Sequence, residues 1–122
     1  VDTGAARTAR DPWDLARRDL GDELFASLLG VSPNSVRRYA TGARTPPELV
    51  TARAHYLAQV VHDLSGTYNE YGIKRWFQRS RTQLNGSSPL ERLQGDPGWT
   101  PDSEAALEVA RLARASGDTK AT

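Results

Sequence analysis

Between Ser32 and Arg44 the chain carries Ser32, Asn34, Ser35, Arg37, Arg38, Thr41 and Arg44, all hydrogen-bonding or cationic, with no acid among them. That set suits recognition of double-stranded DNA. In the major groove arginine bonds guanine at two positions, asparagine does the same with adenine, and either can hold phosphate instead. Arg44, beyond the main cluster, is the expected phosphate contact. The same side chains on a solvated helix would do nothing, so the residues that must hold them outward decide the reading.

Those residues have the pattern of two crossed helices joined by a tight turn. Ser32 is a favoured N-cap, and Pro33 fits the first helical position, where its missing N–H would be unpaired anyway. Val36 and Tyr39, three apart, give this helix one apolar stripe. Upstream, Phe25, Ala26 and Leu29 belong to the preceding helix, and the small Ala26 lets the second helix approach. Gly30 can take the left-handed conformation that ends a helix, and Val31 is the expected buried residue of the turn. From Asp22 to the Gly42-Ala43-Arg44-Thr45-Pro46 exit, these offsets resemble the Xre/Cro-type repressor helix-turn-helix. The resemblance implies a bacterial protein that binds operator DNA as a dimer.

Composition bounds the alternatives. A chain of 122 residues holds one domain or two small helical units sharing a core. Sixteen basic against fifteen acidic residues leave a formal charge of +1, so bulk charge is silent about nucleic acid. The local distribution is more informative. Arg37, Arg38, Arg44 and Arg53 stand against Glu48 alone between residues 33 and 53, and Lys74, Arg75, Arg79 and Arg81 form a second run free of acids. Such patches are footprints for phosphate or for an acidic protein partner. Cysteine is absent, which excludes disulfides and thiolate metal sites. No apolar run reaches the length of a membrane span and no leader pattern precedes the first helix, so the cytoplasm is the expected location. His55 and His62 lie two helical turns apart, about 10 Å, too far to share one metal ion. Neither metal nor cofactor is expected.

In chain order, residues 1–10 read as a mobile tail and 11–46 as the helix-turn-helix unit. Asp11 is the expected cap of a first helix with Pro12 at its start, Trp13, Ala16 and Leu20 facing the core, and Gly21 ending it. Thr45-Pro46-Pro47-Glu48 has the form of a capping box opening a long connecting helix over 47–65. Val50, Ala54, Leu57, Val61 and Leu64 form its seam, broadened by Tyr56 and Val60. That seam fits either a central beam of the fold or pairing with another chain. A small helical domain is expected over 66–116. In it Tyr71 to Arg79 reads as a helix with Ile73, Trp76 and Phe77 inward. Asn85-Gly86-Ser87 is turn chemistry, and Ser88-Pro89-Leu90-Glu91 is a second capping box opening a short helix through Leu93. A last helix is expected from about Asp102 to Ala115, with Ala106, Leu107, Ala110 and Ala113, or Leu107, Ala110 and Arg114, as alternative inner faces. Residues 117–122 read as a frayed end. The fold class is therefore all-α.

Trp76-Phe77, then Leu84-Asn85-Gly86-Ser87-Ser88-Pro89-Leu90-Glu91-Arg92-Leu93, then a terminal helix, resemble the toxin-binding domain of Xre/MbcA/ParS-type antitoxins. The signature positions are Trp76, Leu84, Gly86, Pro89, Leu90 and Leu93. The chain departs from that pattern at Arg79-Ser80-Arg81, where a turn is expected, and in a Pro-Gly-Trp insertion before the last helix. The resemblance implies a type II toxin–antitoxin pair. The partner would be a RES-type, NAD-consuming toxin whose active-site entrance the C-terminal region covers, and the N-terminal unit would repress the operon. Toxin-facing residues are expected at Arg111, Arg114, Ser116, Gly117 and Asp118, in a homodimer or hetero-oligomer. A stand-alone helix-turn-helix regulator with an accessory dimerisation domain, and a helical adaptor without DNA binding, are the alternatives. No Gly-rich phosphate loop and no Ser/His/Asp order stands out, so an enzyme is not expected.

Overall fold

The computed structural model describes the backbone of residues 12–121 and the side chains of 13–117. The expectations for residues 1–10, the Asp11 cap, the Asp118 side chain and Thr122 lie outside the described residues. Every regular element among them is helical. None of these helices is long and apolar enough to cross a membrane.

α1 (Pro12–Leu29) is one helical run broken at Gly21, whose φ of 82° and ψ of 156° leave the helix for a single residue. Glycine alone adopts that conformation without steric cost, so the break falls at the residue where the sequence places it. Ala16, Leu20, Phe25, Ala26, Leu28 and Leu29 are buried, and Trp13 meets Phe25 edge-on with ring centroids 5.4 Å apart. α1 ends at Gly30 (φ 85°), where the amides of Gly30 and Val31 both donate to Ala26 O at 2.8 and 3.0 Å. Val31 is only half-buried: it packs on the edge of the core instead of inside it, because the turn runs along the surface.

α2 (Pro33–Thr41) follows and packs on α1, as does α3 (Glu48–Ser65). The capping box expected at Thr45 does not form. Pro47 occupies the cap position without a side-chain bond, and the helix starts at Glu48. Two successive prolines hold the chain extended, because the residue before a proline is excluded from helical dihedrals. Glu48 is thus a first helical residue and too early to reach back. The α3 seam is buried throughout, with Val50, Ala54, Leu57, Val60, Val61 and Leu64 against α1 on one side and α6 on the other.

α4 (Glu70–Gln78) is capped by Asn69, whose Oδ1 accepts from Gly72 N at 2.8 Å, and it buries Ile73, Trp76 and Phe77. A 3₁₀ turn (Thr82–Leu84) leads into Asn85 and Gly86, both with positive φ. α5 (Pro89–Gln94) opens with a complete capping box: Glu91 N donates to Ser88 Oγ at 3.1 Å, and Ser88 N donates to Glu91 Oε1 at 2.9 Å.

α6 spans Glu104–Ala121, so the helix starts later than expected and continues through most of the segment expected to fray. It buries Ala105, Ala106, Val109 and Ala113, while Leu107 is 48% exposed. Leu107, inward on both faces expected from the sequence, is corrected, whereas Ala106 and Ala113 of the first face are buried as expected. A stripe of alanines lets the helix backbone approach α3 so closely that Tyr56 donates to Ala106 O at 2.6 Å. One cluster of buried side chains, from Ala16 to Ala113, joins all these elements except the short α2 arm's outer face.

Candidate functional site

α2 is short and fixed at both ends. Ser32 (φ −82°, ψ 156°) accepts from Ser35 N at 3.0 Å, which satisfies one of the amides a helix start leaves open. At the other end Gly42 (φ 84°) donates to Tyr39 O at 3.2 Å, and Arg44 N donates to Arg38 O at 3.2 Å. Val36 is fully buried, and Tyr39 leans on Trp13 at 5.7 Å between ring centroids. These contacts set the rotation of the helix. Asn34, Arg37, Arg38 and Thr41 are exposed, as are Ser32 and Arg44, and Ser35 is half-buried.

Ser32 and Ser35 are partly committed to each other, their hydroxyls 3.0 Å apart, so their first role is to hold the cap. Arg44 sits over the Tyr39 ring at 5.9 Å. Arg37 makes one ion pair, Nη1 to Asp22 Oδ2 at 3.6 Å, and its side chain is still 54% exposed. Asp22 belongs mainly to Arg17, which grips it through Nε at 2.7 Å and Nη2 at 3.2 Å. That grip, with Arg37 adding to it, holds the Asp22 carboxyl below the usual carboxylate range. The outer face of α2 is therefore cationic, with one acid at its margin that Arg17 already neutralises.

The other basic positions divide differently. Arg53, read from the sequence as part of the same patch, is corrected: it is 5% exposed and lies inside the fold. Its Nη1 donates to Leu29 O at 2.8 Å, its Nε and Nη2 to Trp99 O at 2.9 and 2.7 Å, and Nη2 also to Pro97 O at 2.9 Å. Its guanidinium lies over the buried Trp99 ring at 4.6 Å. Arg81 is half-buried against Trp76, whereas Arg75 and Arg79 are exposed.

Of the residues expected to face a protein partner, Arg111 and Arg114 are exposed on α6. Ser116 is half-buried, and its hydroxyl accepts from Trp76 Nε1 at 3.1 Å and donates to Leu112 O at 2.9 Å. Gly117 is half-buried as well: a Cβ there would come within 2.6 Å of Asp63 O, and its carbonyl accepts from Thr67 at 3.3 Å. Both are packing residues between α6, α3 and α4. Of the signature positions, Trp76, Leu84, Pro89 and Leu93 are buried, Leu90 is half-buried, and Gly86 takes φ 87°. His55 and His62 are exposed, and among the described residues no group of three acids or histidines is placed to hold a metal ion.

Sequence reasoning missed Arg53 and Trp99. For Arg53 a signal existed: it stands three residues after Val50 and four before Leu57, on the apolar face of α3. Trp99 sits in a turn without periodicity and gave none. No family model, no curated protein and no solved structure matches the chain.

Proposed function

We propose that this protein binds operator DNA through the outer face of α2, and that it is the antitoxin of a RES-type, NAD-consuming toxin whose operon it represses. The observation that carries the DNA reading is that face itself: Asn34, Arg37, Arg38 and Thr41 exposed together on a helix locked at both ends. A helix held this way presents its side chains in one register, as a groove-reading helix must. Arg37 and Asn34 are the residues assigned to base edges. Arg38 and Arg44 are assigned to phosphate, and Thr41 lies beside them. The antitoxin reading is supported by the resemblance of Trp76 and the segment Leu84–Leu93 to the toxin-binding signature. With Ser116 and Gly117 half-buried and in contact with neighbouring elements, the toxin-facing role falls chiefly to the exposed Arg111 and Arg114.

A mobility-shift titration on the DNA upstream of the protein's own gene tests the first half. Arg37→Ala is expected to weaken binding about tenfold, the value of one good base contact, without lowering the melting temperature. Co-expression with the product of the adjacent gene tests the second half. A stable complex that relieves toxicity supports it, and an adjacent product that neither co-purifies nor is toxic alone favours a stand-alone regulator.

A further inference from the structure

Beside α4 the second basic run closes around a recess. Tyr68, Tyr71, Arg75, Trp76, Arg79 and Arg81 line a cavity of about 270 Å³, and no lining residue is an acid. Arg81 reaches into the protein, over the Trp76 ring at 4.9 Å, and its Nη2 donates to Trp76 O at 3.3 Å. Its Nε is buried and has no hydrogen-bond partner among the described residues. Arg75 lies over the Tyr71 ring at 5.7 Å. Gly72 leaves room for this packing, since a Cβ there would crowd Tyr68 Cβ at 3.2 Å.

Buried donors are nearly always paired, and arginines ordinarily carry their charge out to water. Here three arginines line one recess, and among the described lining residues no carboxylate balances them. Burial, and Arg79 nearby, push the Arg81 guanidinium below its ordinary pKa, the mark of a cation short of an anion. A bound anion would cancel the repulsion between the arginines that line the recess.

We propose that this recess binds the terminal phosphate of a phosphomonoester. Three planar forks with no acceptor match a tetrahedral group rich in acceptor oxygens, and a terminal phosphate offers three oxygens and nearly two charges. An internal phosphodiester offers one charge and fewer free oxygens, and it lies along a strand instead of ending in a recess. The volume falls just below the range of pockets that enclose whole small molecules, so it seats one group. Tyr71, 66% exposed at the rim, leaves a ring for what the phosphate is attached to. This site lies on α4 and is independent of the DNA reading at α2.

The test is a calorimetric titration of the full chain at low salt, above the second phosphate pKa of about 6. The probes are adenosine 5′-monophosphate, inorganic phosphate, adenosine and a dinucleoside phosphodiester. The monophosphate and inorganic phosphate are expected to bind, with adenosine and the diester weaker by about tenfold or more. Arg79→Gln and Arg81→Gln should each weaken the monophosphate about tenfold, the loss of one charge-assisted bond. Arg79 is exposed, so its variant carries the test even if Arg81→Gln fails to fold. Silence from both phosphates at millimolar concentration overturns the proposal. So does a diester bound as well as the monophosphate, or monophosphate binding untouched by Arg79→Gln.

Discussion

The outer face of α2 and the inner face of α3 both carry arginine, and the two are put to opposite uses. Arg37 and Arg38 stand in solvent, the first with one loose partner. Arg53 is enclosed and donates to three carbonyl oxygens, one at the end of α1 and two in the turn before α6. A helix C-terminus leaves carbonyls without partners and carries partial negative charge, so Leu29 O suits a buried guanidinium without any carboxylate. Trp99 supplies a ring face for the same group. The difference teaches that charge alone does not mark a binding surface. Arg53 staples the end of α1, just before the turn into α2, onto the second half of the chain.

The largest effect is expected where the staple is broken. Arg53→Met would orphan the carbonyls of Leu29, Pro97 and Trp99 and should destabilise the protein by about 3 kcal/mol in urea unfolding. Arg53→Lys keeps the charge without the fork and should recover less than half of that. Gly30→Ala comes next. Its φ of 85° strains an L residue, and the new Cβ would stand 3.0 Å from Arg53 Nη1, so a cost of about 1–2 kcal/mol is expected. Asp22, held by Arg17 and touched by Arg37, contributes less. Its folded pKa is depressed below the unfolded value of about 3.9, so its contribution is present above that pH and is lost as pH falls through the lower folded value. Asp22→Asn should therefore cost under about 1 kcal/mol near pH 6, because the pair is partly exposed, and progressively less as the solution is acidified. Smallest of all, Arg38→Ala should leave the melting temperature unchanged, an exposed residue without a structural bond to its side chain.

Much of this architecture is legible from the residues. Gly30 ending α1, Ser32 and Pro33 opening α2, the Val50–Leu64 seam and the Ser88–Glu91 capping box are all local patterns whose partners lie within a few positions. What is not legible depends on contacts distant in sequence. Ser116 reads as a polar surface residue until Trp76, on another helix, is seen to donate to it. Arg53 reads as part of a basic patch until Trp99 and Leu29 are placed around it. In α6 the alanines give too weak a contrast to set the rotation, so the pattern points Leu107 inward and does not single out the buried Ala105 and Val109. At Thr45 a second proline displaced the helix start and cancelled a pattern that works at Ser88. The α2 face was legible as a set of residue types, and its exposure follows from Val36 and Tyr39 setting the rotation.

The contrast between the two arginine sets is decided most directly by the salt dependence of DNA affinity. Wild type and the Arg37→Ala/Arg38→Ala double variant would be titrated onto the fragment upstream of the gene across a range of salt. The double variant is expected to bind more weakly, with the slope of log affinity against log salt smaller by about 1 to 2, at an unchanged melting temperature. Equal affinity and equal slope for the two proteins would contradict the assignment of α2 to nucleic acid.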